Sequence, residues 1–112
     1  MRPFHALALL LALPLCGQPA LRSPEVSADG RITFRCFAPG ATKVSLNREG
    51  AAPAPMTRDG RGLWRFTTAP LAPDVYAYTF LVDGVAMEDP SCAEAKPILT
   101  GGHESLVAVP AA

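Results

Sequence analysis

The amino-acid sequence predicts an all-β sandwich of about seven short antiparallel strands. Apolar residues recur at every second position in segment after segment, and beyond residue 25 no stretch carries them at helical spacing over three turns. Gly- and Pro-containing turns separate these segments, and 12 prolines in 112 residues leave little room for long helices. The dipeptide Asp83-Gly84 stands between two such segments, a strong short-range hairpin signal.

The elements follow in chain order. "MRPFHALALLLALPLCGQPA" opens with Arg2, runs apolar from Ala6 to Leu15 and reaches small residues at Gly17 and Ala20, the three-part layout of a signal peptide. Residues 1–20 are therefore expected to be removed on export, after Gly17 or Ala20, leaving a domain over 24–110. The apolar run is too short to span a bilayer, so no membrane span is expected. Lipidation at Cys16 is disfavoured by Leu15, where a small residue would be needed. The expected location is secreted or periplasmic.

"RITFRCF" (31–37) places Ile32, Phe34 and Cys36 on one face and Arg31, Thr33, Arg35 and Phe37 on the other. "TKVSL" (42–46) sends Val44 and Leu46 inward, and "LWRFTT" (63–68) pairs Trp64 with Phe66 on one face. "VYAYTFLV" (75–82) is apolar on both faces, which marks a central strand. A type I′ turn at Asp83-Gly84 leads into a second short strand closed by Asp89-Pro90, because Asp tolerates and Gly accepts positive φ. "SLVAV" (105–109) supplies the last strand. "NREGAAPAP" (47–55) and "SCAEAKPILTGGHE" (91–104) read as irregular connections.

Composition narrows the function. Lys plus Arg and Asp plus Glu number 10 each with no basic cluster, so nucleic acid, which needs concentrated positive charge, is not an expected partner. Past the leader stand two cysteines, Cys36 and Cys92. In an exported domain of this size an even pair suggests a disulfide, the other reading being two separate thiols packed as small hydrophobes.

With the strands in place, the order of motifs resembles a known family. "ITFRCFAPGATKVSL" is similar to the opening of the early-set, immunoglobulin-like domains at the N-terminus of branching enzymes and isoamylases, related to carbohydrate-binding-module-48 domains. A variant precedes the catalytic domain of secreted bacterial esterases of the enterochelin and feruloyl esterase type. "PMTRDGRGLWRFTTAPLAPDVYAYTFLVDGVAMEDP" matches the later pattern of G-x-W, PL-x-P, Y-x-Y-x-F-x-VDG and a closing DP, and "SLVAVP" looks like the esterase variant's exit. The resemblance covers residues 24–110. It implies an esterase catalytic domain as partner, in cis in relatives and in trans here, with this chain as the detached N-terminal domain.

Sugar-binding relatives, such as the β subunit of AMP-activated kinase, use a Trp in the loop after the second strand, a Lys before VDG and a Trp after it. Here 47–55 contains no aromatic residue, Thr79 stands for the Lys and Ala86 for the second Trp. A carbohydrate-binding module for α-glucan or plant polysaccharide is thus the alternative reading, with Trp64 as its candidate for stacking.

Catalysis finds no support in the sequence. There is no G-x-S-x-G elbow. His103, Glu104 and Ser105 are consecutive, and adjacent residues of an extended chain point to opposite faces. Cys92, Glu94, His103 and Glu104 match no metal-ligand spacing. Asp83 and Asp89 are explained by the turn and by the stop before Pro90. The chain is therefore expected to be a non-catalytic accessory domain that needs no cofactor and no metal, packing against an enzyme or helping to present substrate.

Overall fold

The computed structural model describes residues 21–92, 95–97 and 103–111. Residues 1–20, where a signal peptide is expected, lie outside the described residues, as does Glu94. No helix among the described residues is long and apolar enough to cross a membrane.

Among the described residues ten strands follow one another: β1 Glu25–Val26, β2 Ile32–Phe37, β3 Val44–Arg48, β4 Ala54–Pro55, β5 Thr57–Arg58, β6 Leu63–Thr67, β7 Asp74–Val82, β8 Val85–Met87, β9 Ala95–Pro97 and β10 His103–Val109. They form two antiparallel sheets. One has the order β1-β2-β6-β5 and the other β4-β3-β7-β10-β9, with β8 also paired to β7. The excess over the expected seven comes from strands of two or three residues: β4 and β9 fall within stretches read as irregular connections, and β1 and β5 where no strand was expected.

Inward positions build the core as the alternation dictates. Ile32, Phe34 and Cys36 of β2 and Trp64 of β6 face Val44 and Leu46 of β3, Tyr78 and Phe80 of β7, and Val107 and Val109 of β10. The rings of Phe34 and Phe80 stand edge-on to Tyr78, at centroid distances of 4.6 and 5.8 Å. β7 lies between β3 and β10, so its outer Ala77 and Thr79 are buried as well as its inner residues. The chain changes sheet between β4 and β5, where Met56 drops into the core and its N–H donates to Val44 O at 2.9 Å.

Two boundaries differ from expectation for a local reason. β3 starts at Val44, because the N–H groups of Thr42 and Lys43 donate to the Asp83 carboxylate rather than to a ladder. It ends at Arg48, two residues into the expected loop, because Asn47 and Arg48 still pair with Thr79 and Tyr78. Gly62, at φ +95°, is required where the chain passes Pro39: a Cβ there would sit 2.5 Å from the Pro39 Cα.

Candidate functional site

The Asp83-Gly84 turn has φ of 49° and 86°, both positive as a type I′ turn demands. Its carboxylate does more than shape the turn. Asp83 Oδ1 accepts the N–H groups of Thr42 and Lys43 at 2.9 and 2.8 Å, and Asp83 N–H donates to Lys43 O at 2.8 Å. The hairpin is therefore bolted to the β2–β3 loop. It presents Val85, Ala86 and Met87 to solvent, while Thr79 is buried on β7. No ring stands on β8 for a sugar to stack on.

Trp64 does not supply one either. It is 7% exposed in the core, and its indole N–H donates to Ala38 O at 3.0 Å. A buried indole with a satisfied donor offers no face to a ligand.

Asp89, read from sequence as a strand stop, is 1% exposed and is the centre of a buried polar network. Its Oδ2 accepts the Tyr78 hydroxyl at 2.8 Å, its Oδ1 accepts the Ser91 N–H at 2.9 Å, and the Ser23 hydroxyl donates to the same carboxylate. Its backbone N–H donates to the Ser105 hydroxyl at 2.8 Å. Ser23 in turn accepts the Arg35 N–H at 3.0 Å. Burial pushes the Asp89 pKa above the ordinary value against the pull of these donors. Burial and the Asp89 charge push the Tyr78 hydroxyl strongly upward, so it keeps its proton and acts as donor. The network ties together the lead-in to β1, the centre of β7, the DP corner and β10. A carboxylate whose partners are a phenol, one serine hydroxyl and a backbone amide has the character of a structural clasp rather than a reactive centre.

The serine of the "GGHES" run is thereby accounted for: Ser105 is buried on the clasp, and the side chain of His103 lies outside the described residues. Of the two readings of Cys36 and Cys92, the structure has the second: they are separate thiols rather than a disulfide. Cys36 is packed in the core, where burial and then the Asp89 charge push its thiol up to about 11. Cys92 instead donates to Leu106 O at 3.3 Å. Among the described residues no group of three or more His, Cys, Asp and Glu side chains could hold a metal.

At the opposite end of the sandwich, β10 leaves the core at Val109 and passes to Pro110 beside a cleft of about 510 Å³. Its other walls are the β1–β2 turn, including Val26 and Asp29, and the segment bearing Leu71 and Pro73. The turn is stiffened by Asp29, which accepts from the Ser27 hydroxyl and from Arg31 N–H and Nε–H. On the outer face of β2, Phe37 is 59% exposed beside its cross-strand neighbour Leu63.

The architecture recurs in far larger proteins. A chain from Salmonella typhimurium assigned as an alpha amylase matches 80% of this chain with 27% identity and a TM-score of 0.65. The protein has the early-set, immunoglobulin-like fold. The ferric enterobactin esterase of Salmonella typhimurium matches 79% of it with 20% identity and a TM-score of 0.63, and a pullulanase from Paenibacillus barengoltzii matches 73% with 26% identity and a TM-score of 0.51. No family model matches the chain. This early-set chain spans only 15%, 34% and 14% of those three, so it corresponds to one part of each enzyme.

Proposed function

We propose that the chain is a non-catalytic, exported accessory domain that packs against an esterase-type catalytic domain or helps it to present substrate. The observation that carries this reading is that one sandwich, filling most of this chain, accounts for about a third of an esterase. Fold alone does not assign function, so the surface must supply the rest. The hairpin that holds sugar in the resembling modules bears no ring here, and Trp64 is in the core, which argues against polysaccharide as the ligand. Phe37 beside Leu63 is an apolar patch on an otherwise polar sheet face, of the kind a neighbouring domain covers.

The leader-like run at 1–20 supports export, which N-terminal sequencing of the mature protein tests directly. For the accessory role, the chain is titrated with soluble glucans and xylans, with Trp64 fluorescence and affinity-gel migration as readouts. In parallel, size-exclusion chromatography is run with an esterase catalytic domain that lacks a sandwich of its own. Co-elution that Phe37→Ser abolishes, with no retardation by polysaccharide, is the expected result. Saturable polysaccharide binding without co-elution overturns the reading.

A further inference from the structure

The two sheets do not meet along the whole of their shared edge. Between β3 and β4 on one side and β6 on the other lies an open groove of about 170 Å³. Its floor is Leu46, Phe66 and Leu71, and its rim includes Ala51, Ala52 and Ala54. The small rim residues keep it open: Phe66 is on the inward face of β6, yet only partly buried. An apolar space of roughly 150 Å³ lined by such residues admits one six-membered ring.

The groove has a single charged side chain in its lining, Arg48 at the end of β3. The Arg48 guanidinium lies 5.5 Å from the centroid of the Tyr76 ring and donates to the Glu49 carbonyl at 3.3 Å. Arg22, Arg31 and Arg35 each meet a carboxylate, but none of the ion pairs among the described residues includes Arg48. The neighbouring Glu49 carboxylate accepts instead from Ala77 N–H at 3.3 Å. Thr68, also in the lining, is spent internally: its hydroxyl accepts Ile32 N–H and donates to Ala69 O. What remains is an apolar slot with one planar cation at its mouth, already held on an aromatic face and therefore losing little freedom on pairing.

We propose that this seam binds a small monocarboxylate with a single-ring apolar body, the ring against Leu46 and Phe66 and the carboxylate on Arg48. A guanidinium matches a carboxylate through two parallel N–H···O bonds, and the apolar floor rejects anions without a body to bury. The site is separate from the Phe37 patch and does not depend on the docking role.

The test is an amide-resolved NMR titration of the chain with sodium benzoate at fixed ionic strength, with benzamide and sodium acetate as comparison ligands. A ligand of this size in an open groove binds with a Kd on the order of millimolar. Saturable shifts at Leu46, Ala52, Phe66 and Leu71 are expected with benzoate, roughly five- to tenfold weaker binding with benzamide, and no saturation with acetate. Arg48→Gln should bring benzoate down to the benzamide level. Ala52→Leu, at an exposed rim position, should block both ligands while leaving Arg48 in place. Benzoate shifts that avoid these amides, or equal binding of benzoate and benzamide, or full benzoate affinity in Arg48→Gln, would each overturn the proposal.

Discussion

Replacing Tyr78 by Phe removes one oxygen from the centre of the protein and leaves everything else in place. The ring keeps its edge contacts with Phe34 and Phe80, so packing is conserved. The main loss, beside a contact of the hydroxyl with Cys92, is the 2.8 Å hydrogen bond to Asp89 Oδ2, a charge-assisted bond to a carboxylate that is 1% exposed and cannot recruit water in exchange. Such bonds contribute about 1.5–3 kcal/mol, which places the cost near 2 kcal/mol at pH 7. For a domain of this size each kcal/mol moves Tm by about 4–8 °C, so a fall of about 8–16 °C is expected.

The pH dependence of that cost tests the cause. The folded pKa of Asp89 lies above the ordinary value of 3.8, so the folded chain holds the proton more tightly than the unfolded chain. Stability from this group therefore rises as pH falls through the folded pKa and is fully present below the unfolded one. A protonated Asp89 needs the phenol less, so the difference between the wild type and Tyr78→Phe should shrink toward acid pH. Glu25, Asp29 and Asp59, whose pKa values are lowered mainly by hydrogen bonds, push the absolute stability the other way, but they are common to both proteins and cancel in the difference. Urea denaturation followed by Trp64 fluorescence, from pH 7 down through the carboxylate range, measures it. A cost below about 0.5 kcal/mol, the size of an ordinary surface change, or one that grows on acidification, would refute the clasp.

Three further outcomes are expected. Gly62→Ala should cost at least about 2 kcal/mol in the same denaturation assay, since it forces a Cβ to 2.5 Å from Pro39 Cα at φ +95°, whereas Gly60→Ala, with nothing within 4 Å, should be nearly silent. Asp83→Ala should lower stability by about 1 kcal/mol and speed hydrogen exchange at Thr42 and Lys43 in particular; unchanged protection of those two amides would show that the carboxylate is not their acceptor. Cys36, with its thiol at about 11 and its side chain in the core, should resist iodoacetamide at pH 8 until the chain unfolds, read by peptide mass mapping; labelling at the denatured rate would contradict its burial.

The long strands were legible because a period of two is imposed by burial on one face. Ile32, Phe34 and Cys36, or Tyr78 and Phe80, can be picked out without coordinates. The central place of β7 was legible too, from apolar residues on both faces. Pairing distant in sequence left no such trace. β4 and β5 are two residues each, too short for alternation to show, and β1 is defined only by its register against β2. At the sites, the Asp-Gly turn could be read from local rules, but its hold on Thr42 and Lys43 spans some forty residues. Asp89 was masked by a sufficient local explanation, the proline after it. Its one sequence signal was a Tyr at the centre of a strand otherwise built for the core, a residue whose hydroxyl must find a partner somewhere.

The two-residue strands at the margins of the sandwich also bear on how the protein behaves in company. A sheet edge is a template on which another chain can lay a strand, and the hazard grows with the length of straight backbone on offer. Here the segment that ends one sheet at β4 crosses immediately to become the margin of the other at β5, with Pro53 and Pro55 in or beside it and Met56 anchored between. A foreign strand arriving on that side would find two residues of ladder and then a corner. The brevity of these margins keeps the side wall of the sandwich from acting as a nucleus for aggregation, leaving the molecule's broad faces as the surfaces through which it can meet a partner.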